Sequence, residues 1–222
     1  MPSASGRYRD LSLAGFVDAL ASAEPVPGGG SASAVAASLG AGLVAMVAAL
    51  SIGRPKYAHH EATHAAAAAA GHELADRLLT LADEDAAAYA GFATALKLPK
   101  ETDAERAVRA AALKAAARTA ATVPLACVEA CREVVLAAES LAGRCNMNAA
   151  SDLAVACLLA TAAAHGAGAN VLVNLPAVAD EAFAEQMQAR VAGLLSEIDE
   201  LSEITRSVVA TGGIRPALVA GA

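Results

Sequence analysis

One carboxylate in the sequence stands where a carboxylate is costly to keep ionised. Positions that step by four and three between residues 74 and 95 are apolar with one exception: Leu74, Leu78, Leu81, Asp85, Ala88, Phe92 and Ala95. This spacing places them on one face of a helix. Loss of hydration at a core-facing position raises the pKa of a carboxyl toward the range of a group that takes and returns a proton near neutral pH. Asp85 is therefore the candidate proton-transfer residue. The alternative is an ion-paired structural aspartate or a position at the rim of the core. Asp83 and Glu84, off the stripe, are expected to be solvated.

A run of glycines is the first candidate binding element. Gly28, Gly29 and Gly30 are followed by Ser31 at the predicted start of a helix, where free N–H groups can hold an anion or a carboxylate. No Gly-Lys-Ser/Thr follows, so the run is not a Walker loop. The alternative is a tight turn that close packing requires.

Amides and hydroxyls form two further candidate sets. Ahead of one apolar segment stand Asn146, Asn148, Ser151 and Asp152, and a second run is flanked by Asn170 and Asn174. Either set could recognise a flat heterocycle by paired hydrogen bonds. Alternatively, Ser151 or Asp152 caps a helix, and the buried amides need partners within the protein.

Two metal-like patterns are interpreted as coincidences. Residues 60–64 satisfy H-E-x-x-H, but Ala67 and Ala70 occupy the positions of the glycine and third histidine in the longer zinc pattern. Cys127 and Cys131 lie four apart rather than three and are predicted to be small core residues. We therefore predict no metal site.

Helices must position these residues. Hydrophobic residues make up 56% of the chain but aromatics only 3%. Many of the hydrophobic residues are alanine, which favours helix. Period-two alternation is nearly absent, so no extended sheet is expected. The predicted helices span residues 13–23, 31–53, 57–96, 103–141, 151–165 and 180–209. Ser31 is predicted to cap the second helix, Gly71 to loosen the third and Pro124 to kink or divide the fourth.

Composition narrows the class of protein. The net charge of −7 argues against nonspecific nucleic-acid binding, and the four cysteines are too few for a disulfide framework. Residues 31–53 are uncharged and long enough to span a membrane, but they are rich in Ala, Ser and Gly, so we predict a buried central helix. No signal peptide is recognised. We expect one cytoplasmic domain over residues 1–222.

Taken together, the segments resemble the cyclodeaminase/cyclohydrolase family of one-carbon folate enzymes. That family includes the C-terminal domain of formiminotransferase-cyclodeaminase and the stand-alone bacterial methenyltetrahydrofolate cyclohydrolases. The matching stretches, in the family's order, are residues 16–21, 25–31, 53–57, 85–89, 98–100, 123–125, 146–152 and 170–174. Two departures are Cys145, where a glycine is expected, and Arg54-Pro55, which replaces part of a basic pair.

The resemblance implies an all-α, single-domain antiparallel helical bundle that forms a homodimer. It implies that Asp85 is the catalytic proton acceptor and that Lys56 and Lys100 attract the glutamate carboxylates of a folate. The glycine run and the asparagines would hold the pterin or the tail. A tetrahydrofolate derivative would be the substrate, with no metal or redox cofactor, no nucleic acid and no membrane partner.

Two reactions fit this resemblance. A cyclohydrolase adds water to the methenyl carbon that bridges N5 and N10 and yields 10-formyltetrahydrofolate. A cyclodeaminase lets N10 attack the formimino carbon on N5 and expels ammonia. We favour the cyclohydrolase because no formiminotransferase domain is fused to this chain and residues 123–134 look closer to the single-domain enzymes. A non-catalytic folate-binding or scaffold protein is the alternative from another class.

Overall fold

The computed structural model describes residues 6–218, which fold as an all-helical bundle. Within that range the α-helices are α1 (Leu13–Leu20), α2 (Gly29–Ala49), α3 (Glu61–Leu96), α4 (Asp103–Leu141), α5 (Ala150–Val178) and α6 (Glu181–Thr211). Single turns of 3₁₀ helix cover Tyr8–Asp10 and Met147–Ala149, and a longer one covers Pro55–His60. No strand forms among the described residues, which confirms that the fold is all-α.

Helix α2 lies at the centre of the bundle, packed against α3 and α5. It carries no charged residue and is rich in small side chains, so its neighbours can approach its backbone closely. A Cβ atom on Gly71 would lie 2.8 Å from the Ala41 carbonyl oxygen, and one on Gly40 would lie 3.0 Å from that of Ala156. Gly71 therefore allows α3 to contact α2. The prediction that it loosens α3 is wrong, since α3 is continuous.

Pro124 neither divides α4 nor leaves a carbonyl unpaired. A proline has no N–H, so the carbonyl four residues earlier, that of Ala120, loses its helical partner. The side-chain amide of Asn174 on α5 donates to that oxygen at 2.9 Å and to the Asn170 carbonyl at 2.8 Å. The predicted division of α4 is therefore wrong, because a neighbouring helix supplies the missing donor.

Other predicted boundaries also differ from the structure. Ser31 does not cap α2: Gly28 is the N-cap, and Ser31 is buried in the first turn. α5 continues through Asn170 and Asn174 and contains Pro176, where the sequence suggested a break before the last helix. Uninterrupted burial of α5 against α2 and α4 outweighs the local signals.

One side of α2 and α5 forms a continuous exposed apolar surface, which we call the α2/α5 face. Its large exposed side chains are Leu39, Met46, Leu50, Val155, Leu158, Leu172 and Val173, the last with 72% of its surface exposed. By length and composition alone, Gly29–Ala49 and Met147–Val178 could each cross a membrane, a test that core helices also pass. In the most apolar 18-residue stretch of each, 50% and 44% of the residues are buried within the protein.

Candidate active site

The Asp85 carboxylate packs against the first turn of α2. A Cβ atom on Gly30 would lie only 2.5 Å from the Asp85 Cγ atom, so glycine is the residue that lets the carboxylate approach the helix start this closely. The Ser31 hydroxyl lies 3.0 Å from Asp85 Oδ2. Asp85 is half-buried and, among the described residues, forms no ion pair. Asp85 is therefore not an ion-paired structural aspartate within the described part of the chain.

Burial raises the pKa of the Asp85 carboxyl above its ordinary value, and hydrogen bonds from the side chain and backbone of Ser31 act in the opposite direction. The Ser31 hydroxyl is also 3.0 Å from the Ala82 carbonyl oxygen. It can donate its single proton to an ionised Asp85. When Asp85 is protonated, it can donate to Ala82 and accept from the carboxylic acid instead. Ser31 thus matches both protonation states of Asp85.

This geometry changes the interpretation of the glycine run. The first N–H groups of α2 have no partner within the helix. The negative group that faces them is the protein's own Asp85, held beside Gly30 and Ser31. The partial positive charge of the helix start then favours the ionised carboxylate. Gly28 shows no comparable close approach: a Cβ atom there would be 3.7 Å from its nearest neighbour.

The segment before α1 binds to α3 at Asp83, two residues from Asp85, and the sequence did not predict it. The Tyr8 backbone N–H donates to the Asp83 carboxylate at 2.7 Å. The expectation that Asp83 is simply solvated is therefore wrong, because that carboxylate anchors the N-terminal segment. Glu84 does lie at the surface, 2.7 Å from Arg77. The only sequence signal for Tyr8 was the scarcity of aromatics, three tyrosines and three phenylalanines in the chain.

The two asparagines of α5 have different environments. Both N–H groups of the Asn174 amide are used by the carbonyls of Ala120 and Asn170, so Asn174 has a structural role. The Asn170 amide donates to the Gly166 carbonyl at 2.9 Å, and its nitrogen lies 3.7 Å from where a Cβ atom of Gly29 would be. Asn170 therefore faces the glycine run and retains hydrogen-bonding capacity there.

Other predicted residues lie away from Asp85. Asn146 is buried near the C-terminal end of α2, where its N–H donates to the Ser51 hydroxyl at 2.8 Å. Nearby, Tyr57 accepts from the Met147 N–H at 3.2 Å, and the Lys56 ammonium lies 5.3 Å from the centre of the Tyr57 ring. The 21 residues of α2 span about 30 Å at 1.5 Å per residue. The fold of this chain therefore does not place Lys56 and Asn146 beside Asp85.

Three further predicted residues can be placed by element. Asn148 is exposed in the turn before α5, and Asp152 lies in the first turn of α5, both near the Lys56 end of α2. Lys100 is exposed in the loop after α3, past the end of the helix that carries Asp85. Asn146 itself uses its side chain within the protein, accepting from the Asn148 N–H and donating to the Leu50 carbonyl.

The H-E-x-x-H pattern packs inside the bundle. His60 and His64 are buried, and His64 Nε2 lies 2.9 Å from the Arg144 carbonyl oxygen, which can only accept, so that nitrogen carries a proton. Across residues 6–218, no three His, Cys, Asp or Glu side chains are grouped as metal ligands would be. All four cysteines are free and buried, which confirms that Cys127 and Cys131 are core residues.

A groove of about 510 Å³ between α3 and α4 is separate from this site. Its charged lining residues are Glu73, Arg77 and Glu133, and the rest of its wall is largely alanine and leucine. It contains none of the predicted binding residues.

An all-helical domain with a half-buried carboxylate held by glycine and serine at a helix start defines a class of protein equipped for proton transfer. Comparison with known proteins identifies the family. The sequence model of the formiminotransferase-cyclodeaminase family matches residues 12–193. The chain belongs to this family.

Relatives with assigned names fall into two groups. The chain is 43% identical over 188 residues to the methenyltetrahydrofolate cyclohydrolase of Methylorubrum extorquens, a match that covers 85% of this chain and 90% of that protein. It is 38% identical to the mouse formimidoyltransferase-cyclodeaminase, again over 85% of this chain but over only 35% of that longer protein. A crystal structure of formiminotetrahydrofolate cyclodeaminase from Thermotoga maritima superposes with a TM-score of 0.83 at 27% identity, covering 91% of this chain and 98% of that one.

Proposed function

We propose that this chain is a 5,10-methenyltetrahydrofolate cyclohydrolase in which Asp85 transfers the proton. The observation that carries the proposal is the Asp85 carboxylate held 3.0 Å from the Ser31 hydroxyl at the start of α2. The methenyl substrate carries positive charge on the carbon between N5 and N10, which an ionised carboxylate attracts. The 43% identity to a single-domain protein named as a cyclohydrolase supports this choice of reaction.

The site can supply each proton that the reaction needs. A water molecule attacks the methenyl carbon through its oxygen and gives a proton to Asp85. The product of this step is a neutral tetrahedral intermediate. When the bond from that carbon to N5 breaks, Asp85 returns its proton to N5, and the hydroxyl proton leaves to solvent as the formyl group forms on N10. The Ser31 hydroxyl turns between Asp85 and the Ala82 carbonyl as the carboxylate loses and gains its proton. No step requires a metal or a redox cofactor.

Cyclodeamination is the second candidate, because the Thermotoga chain named as a cyclodeaminase is matched over 98% of its length. A single-domain chain therefore fits either name. The test is to supply 5,10-methenyltetrahydrofolate and 5-formimidoyltetrahydrofolate separately. Loss of methenyl absorbance on the first without ammonia release from the second supports the cyclohydrolase. Ammonia release alone supports the cyclodeaminase, and binding of both without turnover supports a non-catalytic folate-binding protein.

We further propose that two copies pair through the α2/α5 face. This surface exposes large apolar side chains, including 54% of Leu39 and 72% of Val173, and monomers rarely leave such surfaces uncovered. Gly42 lies in the exposed stripe of α2, where a Cβ atom would meet nothing within 4 Å in the same chain. With no side chain at this position, a second helix can approach the exposed stripe of α2 closely.

The stripe on α2 also has the symmetry that a two-fold interface requires. Leu39 and Met46 are equally spaced about Gly42 and Leu43, and Val35 and Leu50 are the next pair outward. An antiparallel pairing of two α2 helices in this register is self-complementary. It places the N-terminal end of α2 in one copy, with Gly29 and Gly30, beside the C-terminal end of α2 in the other, the end near which Lys56 lies. The Lys56 end of one protomer would then complete the Asp85 site of the other.

Mixed dimers test this arrangement. Asp85→Asn chains and chains with both Lys56→Ala and Asn148→Ala are unfolded together and refolded together, so that half of the dimers contain one chain of each kind. We expect activity well above that of either variant alone, up to about a quarter of wild type, since each mixed dimer has one intact site of two. No gain on mixing would contradict the shared site.

A charge in the α2/α5 face tests the pairing itself. Leu39→Glu should yield a monomer by light scattering, because it buries a charge in the interface.

A further inference from the structure

After α6 ends, the chain lies across the segment that joins α4 to α5. We call residues 212–216 the strap and residues 142–149 the α4–α5 loop. The Arg215 N–H donates to the Gly143 carbonyl at 3.0 Å. Gly143 has a φ of +73°, and a Cβ atom there would lie 2.5 Å from the Gly213 carbonyl oxygen. The strap and the loop therefore touch backbone to backbone, where a side chain on Gly143 would clash.

Two arginines bind the strap to the loop and to the last turn of α4. Arg144, in the loop, is only 4% exposed, and its Nε donates to the Pro216 carbonyl at 2.6 Å. A terminal nitrogen of the same guanidinium donates to the Ser140 carbonyl at 3.0 Å. Arg215, in the strap, pairs with the Glu139 carboxylate and donates to the Glu139 carbonyl at 3.3 Å. The strap is thus held by side chains as well as by backbone.

The Arg144 guanidinium is a costly group to bury at this junction. In the described part of the chain, its hydrogen-bond partners are both carbonyl oxygens. Burial lowers the pKa of Arg144, and the nearby Arg215 lowers it further, while Glu139 acts in the opposite direction. A buried charge contributes little stability compared with a well-packed apolar side chain, so stability alone does not account for an arginine here. Its donors instead fix where the strap crosses the loop.

The strap also contacts the loop beside the two asparagines. A Cβ atom on Gly212 would lie 3.8 Å from Met147 Cε, so the Met147 side chain packs against the strap. Asn146 precedes Met147 and is bonded through its N–H to the Ser51 hydroxyl at 2.8 Å. Asn148 follows it, with its N–H bonded to the Asn146 side-chain oxygen at 3.2 Å and its side chain exposed. The strap therefore lies against the same short turn that presents Asn148.

We propose that Arg144 is a positioning residue for the substrate: by binding the strap, it fixes the α4–α5 loop so that Asn148 is presented to the folate. The inference rests on the proposed function, in which the Lys56 end of one copy completes the Asp85 site of another. The strap lies beyond residues 12–193, the part of the chain that matches the family model. Loss of Arg144 should weaken substrate binding more than it slows proton transfer at Asp85.

Substitutions on both sides of the junction test this role in the full-length protein. Arg144→Met removes the donors and keeps an apolar stem. Arg144→Lys retains the charge and part of the hydrogen bonding, so it should recover part of the wild-type behaviour, and it serves if the methionine variant does not fold.

The strap is tested separately from the loop. Arg215→Gln removes the ion pair with Glu139 and leaves the loop sequence unchanged. The matched control is Arg206→Gln, which removes an exposed pair with Glu203 on α6, the helix that leads into the strap.

Kinetics and hydrogen exchange are measured on each variant. On 5,10-methenyltetrahydrofolate, KM should rise by about 10-fold in Arg144→Met, the effect of about one lost hydrogen bond, with kcat little changed. The N–H groups of Asn146 and Asn148 should exchange faster, while those of α2 keep their protection. Arg215→Gln should change both in the same direction by less, and Arg206→Gln should change neither.

A merely structural Arg144 would give a different result. Faster exchange throughout the bundle with an unchanged KM, or a lower kcat with an unchanged KM, would overturn the inference. If the wild-type protein turns over neither folate, the proposed function fails, and calorimetric binding of 5,10-methenyltetrahydrofolate replaces KM. Weaker binding by Arg144→Met with selective loss of loop protection would then support the positioning role, and equal binding would overturn it.

Discussion

The two ends of α2 carry similar residue types but differ in how completely their polar atoms are bonded. At the C-terminal end, the Ser51 hydroxyl donates to the Val47 carbonyl at 2.7 Å and accepts from the Asn146 N–H at 2.8 Å. At the N-terminal end, the Ser31 hydroxyl has two acceptors for one proton. The first arrangement has one best pattern of hydrogen bonds and stabilises the fold. The second has two patterns, one for each protonation state of Asp85, and this is the property that proton transfer needs.

The largest expected effect is on turnover at the N-terminal end. Asp85→Asn retains shape but cannot accept a proton, so turnover should fall by at least about 100-fold, the scale of general acid–base catalysis. Steady-state kinetics on both folates measures it. Glu84→Gln is the control because Glu84 is adjacent and partly exposed, and its pair with Arg77 contributes little. Asp83 is unsuitable as a control because it binds the Tyr8 N–H. Near-normal turnover of Asp85→Asn on both folates would remove Asp85 from the mechanism.

A steric change at the same end should have the next largest effect. Gly30→Ala places a methyl group about where the Asp85 carboxylate now lies, 2.5 Å from its Cγ atom, so the carboxylate must move. We expect turnover to fall by about 10-fold or more, the result of misplacing a reacting group. Gly193→Ala, at a helical glycine whose Cβ would meet nothing within 4 Å, should leave turnover unchanged. Equal turnover in the two variants would show that the contact with Gly30 does not position Asp85.

Matched serine variants compare the two ends directly. Ser51→Ala leaves the buried Asn146 N–H without its acceptor, which should lower the free energy of unfolding by about 1–3 kcal/mol. Denaturant titration measures this loss. Ser31→Ala should instead move the acid limb of turnover to higher pH, because Ser31 hydrogen bonds act to lower the pKa of Asp85. If Ser51→Ala shifts the pH dependence of turnover and Ser31→Ala only lowers the free energy of unfolding, the contrast between the two ends of α2 is wrong.

The smallest expected effect concerns the pH dependence of stability. Because burial raises the pKa of Asp85, the folded state binds its proton more tightly than the unfolded state does. The stabilisation is present below the unfolded pKa and is lost as pH rises through the folded pKa. Asp85→Asn lacks this loss, so its melting temperature at neutral pH should equal or slightly exceed that of the wild type. A clearly lower melting temperature would favour a structural role for Asp85.

The sequence predicted most of the helices and the exceptional position of Asp85 because both follow from local periodicity. Six of the seven stripe residues are apolar, and the pattern alone identifies Asp85 as the exception. It could not predict that Gly30 and Ser31 would be its neighbours, since they are more than fifty residues away and their contact depends on how α2 and α3 pack. Tyr8 was missed for the same reason: its partner Asp83 is 75 residues distant.

Local rules were wrong where a distant residue compensated. Pro124 signals a break in α4, but the helix continues because Asn174 supplies the missing donor. The amides of Asn146 and Asn174 were predicted to bind a ligand, and that role stays a prediction; in the structure the Asn146 oxygen and nitrogen and the Asn174 nitrogen are bonded within the protein. Sequence spacing cannot distinguish an amide that is already bonded from one that is available. Asn170, beside the glycine run, retains hydrogen-bonding capacity although its nitrogen donates to the Gly166 carbonyl.

The hydrogen bond from the Asn174 amide to the Ala120 carbonyl, which Pro124 leaves without a helical partner, couples the evolution of positions 124 and 174. Asn174→Ala alone leaves the Ala120 oxygen unpaired, whereas a non-proline residue at position 124 would restore the helical N–H and make the Asn174 amide dispensable. Change at position 124 must therefore precede change at position 174. Among descendants of this sequence, loss of the asparagine should be found where the proline has already been lost.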